Sequence, residues 1–215
     1  GDGYDNNPDD VGDGTVSTGG TRSSSFHGTH VAGTIAATSN NGTGISGVAW
    51  GAKIMPLRAL GRSGGTSYDI EQAMRYAGGL SNDSGTVPTQ IADVVNMSLG
   101  GSGFSRSNQD VVSELREAGV LFIAAAGNSA ISSPFYPASY DGVVSVSSVG
   151  FDSSALAPYS NYGAYIDIAA PGGNSSVDAN GDGFPDGVLS TLGTDSGEFV
   201  FGFLQGTSMA SPHVA

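Results

Sequence analysis

Apolar residues recur along this chain in two alternating rhythms. Ile70, Ala73, Met74 and Ala77 fall at i, i+3, i+4 and i+7, the stripe of an amphipathic helix, and Val111, Val112, Leu115 and Ala118 mark another helix. Around them stand short apolar runs at 54–60, 93–99, 120–126, 143–149 and 165–169, each the length of a strand. The run 120–126 is unbroken, follows a helix and is closed by Gly127, which suits a strand buried on both faces of a parallel sheet. From 28 to 38 small and β-branched residues are compatible with a buried helix, whereas 1–25 is polar and glycine-rich and predicts loop. Alternating strand and helix predicts an α/β fold, a three-layer sandwich with a mostly parallel central sheet. In such sheets functional groups gather beyond the carboxyl ends of the strands, which is where Asn128 falls.

Composition narrows the partners. The 215 residues suffice for one domain with a substantial core, and neither an internal repeat nor a linker is evident. The net charge is −13, and Lys53 is the only lysine. Such a surface repels nucleic-acid phosphates and anionic membranes, so neither is expected as a partner, and a monomer is expected. Cysteine is absent, which argues neither for export nor against it. No stretch approaches a membrane span, and no signal peptide is present. The chain reads as an excised piece of a longer protein: an acidic loop opens it, and Ala215 falls just inside the helix that Ser208 begins.

Two segments carry candidate chemistry, His27-Gly28-Thr29-His30-Val31-Ala32-Gly33 and Gly206-Thr207-Ser208-Met209-Ala210-Ser211-Pro212-His213. A serine hydroxyl becomes a nucleophile at neutral pH only beside a base, so a serine and a histidine brought together form a testable pair. Ser208 on the first turn of a helix would also aim its own N–H at developing negative charge. The plainer readings are an N-cap serine, a turn asparagine at Asn128 and buried structural histidines, the last preferred for His30. Zinc on His27 and His30 lacks both the HExxH glutamate and a clear third ligand. Residues 206–210 also fit a nucleophile elbow, but the base of an α/β-hydrolase follows its serine, and here only His213 does, five residues on in the same helix.

In this order the two segments resemble the base and nucleophile segments of the subtilisin-like serine proteases, the subtilases, from His27 to Ala215. The resemblance implies His27 as general base, Ser208 as nucleophile and Asn128, in Ala124-Ala125-Ala126-Gly127-Asn128, as oxyanion donor. It also implies a substrate-pairing edge at Gly64, Gly65 and Thr66, and one S1 wall at Ser98, Leu99 and Gly100. The opposite wall, 124–127, includes Ala125 and Gly127, with Phe135 as a floor that favours smaller P1 side chains. The family's D-[ST]-G aspartate does not precede His27, so it is expected upstream of Gly1, and this piece alone is expected to be nearly inert.

Asp178-Ala179-Asn180-Gly181-Asp182-Gly183-Phe184-Pro185-Asp186 follows D-x-N-x-D-G-x-x-D, with oxygens at alternate positions and glycine at the sharp turn, which suits Ca²⁺. Leu189 at the twelfth position rules out an EF-hand, and a solvated acidic loop is the alternative. Asn180 and Phe184 join Asp178, Asp182 and Asp186 as candidate ligands. Asn41, Thr43 and Ile45 match the family's high-affinity calcium loop, and Asp2 to Asp13 is a weaker candidate. The sequence therefore reads as part of a secreted, calcium-stabilised serine endopeptidase that hydrolyses peptide bonds in protein or peptide substrates through an acyl-enzyme. A catalytically dead scaffold is the competing reading.

Overall fold

The structure, a computed structural model, describes residues 12–17, 20–61, 63–152 and 154–215. The acidic loop from Asp2 to Asp10 lies outside the described residues. The elements are β1 (Thr15–Ser17), β2 (Gly20–Arg22), α1 (His27–Ala36), α2 (Ser67–Ala77), β3 (Val94–Met97), α3 (Arg106–Glu117), β4 (Leu121–Ala125), β5 (Val143–Val149), β6 (Ile168–Pro171), β7 (Val188–Gly193), β8 (Phe199–Leu204) and α4 (Thr207–Val214).

Strands β3, β4, β5 and β6 form a parallel sheet in that order, and β7 and β8 form a separate antiparallel hairpin. Side chains alternate across β4 and thereby define the layers. Phe122 and Ala124 pack with Met74 of α2 and Val111, Val112 and Leu115 of α3. Ile123, between them, packs the opposite way with Val146, Ala170 and Ala210 of α4. Helices thus cover both faces of the sheet, as the alternating pattern predicts. Phe122 is fully buried, and truncating such a ring to alanine costs about 3–5 kcal/mol.

Local chemistry fixes the helix starts. Thr66 caps α2 by accepting from the Asp69 N–H at 3.1 Å, and the Asp69 carboxylate accepts from the Thr66 N–H at 2.9 Å. Ser105 caps α3 through the Asn108 N–H.

Three predictions fail instructively. Within 1–25, expected to be loop, β1 and β2 pair as a short antiparallel ribbon, because backbone pairing needs no apolar pattern. The run 54–60 forms no strand: among the described residues nothing pairs with it, and Ile54 and Leu57 stand 41% and 38% exposed. An extended run has no ladder without a neighbour, and β3 is paired on one side only, to β4. The last sheet strand lies at Ile168–Pro171 rather than 165–169, because Tyr165 turns inward to hydrogen-bond the Ala126 carbonyl. The hairpin β7–β8 has no counterpart in the sequence reading, since its Ser, Thr and Gly content resembles loop.

Candidate active site

Three strand ends converge on the N-terminus of α4. Gly206, its N-cap, donates its N–H to the Gly172 carbonyl just after β6, at 2.9 Å. The Gly127 N–H, just after β4, donates to Thr207 Oγ1 at 3.0 Å. Beyond β3, Ser98 Oγ donates to the Ser208 carbonyl at 2.7 Å. That carbonyl is open because Pro212, four residues on, has no N–H to return to it. The proline inside the helix therefore creates an acceptor by which β3 holds the Ser208 backbone.

The first-turn N–H groups of α4 are distributed unevenly. Thr207 donates to Asn128 Oδ1 at 2.8 Å, while Met209 and Ala210 donate to the Gly206 carbonyl at 2.9 and 3.2 Å. Among the described residues the Ser208 N–H has no partner. Because Thr207 N–H and Oγ1–H both occupy Asn128 Oδ1, the Asn128 amide presents its Nδ2 donors elsewhere. A Cβ added at Gly206 would fall 3.4 Å from Asn128 Nδ2, 3.6 Å from Asn128 Oδ1 and 3.6 Å from the Ser208 nitrogen. With Oδ1 engaged by Thr207, two donors remain beside Gly206, a pair that could serve a developing oxyanion.

The loop carrying Asn128 is splinted by Asn161, which is fully buried. Asn161 Oδ1 accepts from the Ser129 and Ile131 N–H groups at 2.9 and 3.3 Å, and its Nδ2 donates to the Ala126 carbonyl at 2.9 Å. Gly127 adopts φ 104°, where a side chain is strained, and a Cβ there would lie 2.4 Å from Asn161 Nδ2.

His27 opens α1, where Phe26 in the left-handed region (φ 44°) turns the chain into the helix. Burial lowers the His27 pKa below its ordinary value, which favours the neutral ring. Helix α1 packs against α4 and β7, but among the described residues no hydrogen bond joins His27 to Ser208. Ser208 Oγ instead donates to the Ser98 carbonyl at 3.3 Å. His30 is structural, as the sequence reading prefers. Its Nε2 lies 3.0 Å from the Val188 carbonyl and 3.2 Å from the Gly202 carbonyl. Two acceptors at one nitrogen require the proton there, which leaves the buried Nδ1 unpartnered. Ser190 Oγ and Thr191 Oγ1 of β7 donate to the His30 and Thr29 carbonyls. The hairpin and its neighbouring helix are thereby pinned together.

The expected groove residues are dispersed on loops at this end of the sheet. Ser98, Leu99 and Gly100 follow β3, and Ala125 ends β4. The Phe135 ring lies between Gly100 and Gly127: added Cβ atoms there would meet it at 2.4 and 3.1 Å. Gly64 and Gly65 do not form an edge strand. Gly61 and Gly64 close a turn through an isolated antiparallel bridge, and Thr66 is committed to capping α2.

Among the described residues no three acidic or histidine side chains converge on one point. Asn41 Oδ1 accepts from the Thr43 N–H at 3.0 Å, closing a local turn. Those three residues alone do not make a calcium site. In the loop 178–186, Asp178 accepts from the N–H groups of Gly181, Asp182 and Gly183, Asp182 from that of Phe184, and Asp186 Oδ2 from that of Ala179.

Gly206, Thr207, Asn161 and the hydroxyl role of Ser98 escape sequence reading. The one signal present is Pro212, whose position four residues after Ser208 announces an unpaired carbonyl.

The protein is a parallel α/β sandwich with a serine on the first turn of a helix and an asparagine just beyond a strand end. The subtilase family model matches residues 3–215, and the chain belongs to that family. It is similar to the extracellular basic protease of Dichelobacter nodosus, 40% identical over 229 residues, covering 100% of this chain and 36% of that protein. It is also similar to an extracellular protease of Xanthomonas campestris pv. campestris, 41% identical over 198 residues, covering 90% of this chain and 32% of the relative. Among solved structures a protease of Pseudoalteromonas arctica PAMC 21717 superposes with a TM-score of 0.86 at 45% identity, covering 96% of this chain and 62% of that one. The chain thus spans about a third of the length of these curated relatives.

Proposed function

We infer that the protein is a secreted serine endopeptidase. The carrying observation is the space beside Gly206, bordered by Asn128 Nδ2 and the Ser208 N–H. Two fixed donors at that point stabilise the oxyanion of a tetrahedral intermediate beside the Ser208 hydroxyl. Ser208 Oγ attacks the scissile carbonyl, and His27, whose burial favours the neutral ring, takes its proton and returns it to the leaving amine. The acyl-enzyme is then hydrolysed by water with the same base. For this the Ser208 hydroxyl must leave the Ser98 carbonyl and turn to His27.

A third group must orient that imidazole, and none of the described residues hydrogen-bonds it. We place the aspartate upstream of Gly1, on a strand that pairs with the open edge of β3. The unpartnered run 54–60 and the exposed Ile54 and Leu57 support a place for such a strand. Substrates are proteins or peptides, read through main chain in the groove. The Phe135 ring between Gly100 and Gly127 gives the pocket a floor and a preference for small P1 residues. The extracellular names of the relatives support secretion. The charge of −13 supports neither a nucleic-acid nor a membrane partner, and a monomer is expected. The same chemistry at Asn41, Thr43 and Ile45 would need a carboxylate from the upstream segment to hold calcium.

One observation favours the inert-scaffold reading: the Ser208 hydroxyl is engaged by the Ser98 carbonyl rather than by a base. Fluorophosphonate labelling of the full-length protein, mapped by mass spectrometry, separates the two. The expected result is a label on Ser208 that disappears in His27→Ala. A folded protein that stays unlabelled overturns the peptidase reading.

A further inference from the structure

One polar side chain interrupts the apolar run of β3. Asn96 stands opposite Ile123 of β4, on the face that packs against α4. Its amide is engaged at both ends. Oδ1 accepts from the Ser211 hydroxyl, and Nδ2 donates to Ser98 Oγ at 3.0 Å. Ser98 Oγ in turn donates to the Ser208 carbonyl at 2.7 Å. Ser211 is fully buried. The chain of bonds therefore leaves α4 at Ser211, crosses β3 and returns to α4 one turn earlier, at Ser208.

The last link fixes the direction of all the others. A carbonyl only accepts, so Ser98 commits its single O–H to the Ser208 carbonyl. Its Oγ can then only accept, which turns Nδ2 of Asn96 toward Ser98 and Oδ1 toward Ser211. Ser211 must donate. A serine inside a helix ordinarily turns its hydroxyl back to the carbonyl four residues before it, whereas this one reaches across to the strand. Pro212 completes the arrangement, because it leaves the Ser208 carbonyl without a helical donor.

We propose that Asn96 is a positioning residue for the nucleophile: it orients the Ser98 hydroxyl that holds the Ser208 peptide, and Ser211 locks its amide in the orientation that allows this. The clamp ties α4 to one strand at two points a turn apart. Ser208 can neither rotate about the helix axis nor slide along it without breaking a bond. A misplacement of about 1 Å at a reacting group costs on the order of 10²-fold in rate, which gives this amide a lever on kcat although it acts only through Ser98. The inference rests on the peptidase reading and deepens it.

The experiment uses the full-length protein and follows cleavage of a peptide substrate together with the rate of fluorophosphonate labelling at Ser208. Asn96→Asp keeps the shape of the side chain but offers Ser98 only acceptors, which draws the Ser98 hydroxyl away from Ser208. Both kcat and the labelling rate should fall at least about tenfold, with KM changed less than about twofold. Protonating the new carboxyl restores a donor, so the deficit relative to the parent should narrow as pH falls. If Asn96→Asp does not fold, Ser211→Ala decides, since it removes one small hydroxyl and should lower kcat at unchanged KM. Parent-like kcat in the deciding variant, or a loss confined to KM, overturns the clamp and leaves the peptidase reading intact. A folded parent with neither label nor turnover overturns the peptidase reading itself, and the role of Asn96 with it.

Discussion

Gly206 is where backbone conformation and chemistry meet. Its φ of 147° and ψ of 163° lie in a region that essentially only glycine occupies. A methyl group there would lie against the Asn128 side-chain amide and the Ser208 nitrogen. Gly206→Ala should therefore strain the α4 start and fill the oxyanion space at once. The expected loss is in kcat, about 10²–10³, the effect already measured in subtilisin for removal of one such donor, with KM changed far less. Steady-state kinetics of the full-length variant on a peptide substrate checks it. A KM effect alone would mean that the space is a substrate subsite. Asn161 acts one step further out. Asn161→Ala strips the Ser129 and Ile131 N–H groups of their partner and leaves the Ala126 carbonyl to Tyr165 alone, at about 1–3 kcal/mol for each buried group left unsatisfied. Urea unfolding should show that loss, and kcat should fall with it because Asn128 rides on the same loop. Unchanged stability would show that the loop holds itself.

At the level of elements, the hairpin's grip on α1 makes a pH prediction. Burial lowers the His30 pKa below its ordinary 6.5, with the nearby His27 and His213 charges acting in the same direction and the two carbonyls opposing. A histidine with a depressed folded pKa binds its proton more readily when unfolded. The folded state therefore loses stability as pH falls from about 6.5 toward the lowered value, and retains full stability above it. His30→Gln keeps a donor toward Val188 and Gly202 without that titration. Stability below pH 6.5 should fall less steeply in His30→Gln than in the parent, both in the Ser208→Ala background; parallel slopes would remove His30 from the acid response. The element scale also shows what a sequence reveals. The stripe Ile70, Ala73, Met74, Ala77 and the run 120–126 announce α2 and β4 because burial leaves a periodic record, whereas Ser208, His27 and Asn128 are candidates marked by motif alone. The hairpin left no such record. Its contacts are made by Ser190, Thr191 and His30 with backbone carbonyls, and hydrogen bonds between distant segments leave no period in the chain. The orientation of Asn128 was equally hidden, since it depends on Thr207, 79 residues away.

For the whole molecule, the decisive feature is the open β3 edge of the sheet. Among the described residues β3 and β6 are both end strands, each paired on one side only; the β3 edge carries Val94 at 37% exposure and lies at the strand that leads to Ser98. An unprotected strand edge of this kind invites another strand, and 54–60, with its own apolar residues exposed, is a second surface awaiting the same neighbour. A strand inserted there would run parallel to β3 and end, like the others, at the site end of the sheet, where a carboxylate can reach the His27 ring. Fold completion and catalysis would then be the same event. Hydrogen exchange separates this from a mere surface edge: in the full-length protein the amides of Val94–Met97 and 54–60 should be protected together, and a proline placed in the inserted strand should release both. The same proline variant should lose turnover by about 10⁴, the order expected when a triad loses its aspartate, while Ser208 and Asn128 keep their contacts. Protection of β3 with 54–60 still exchanging freely would show that the strand pairs on one side only, and the aspartate would have to be sought elsewhere.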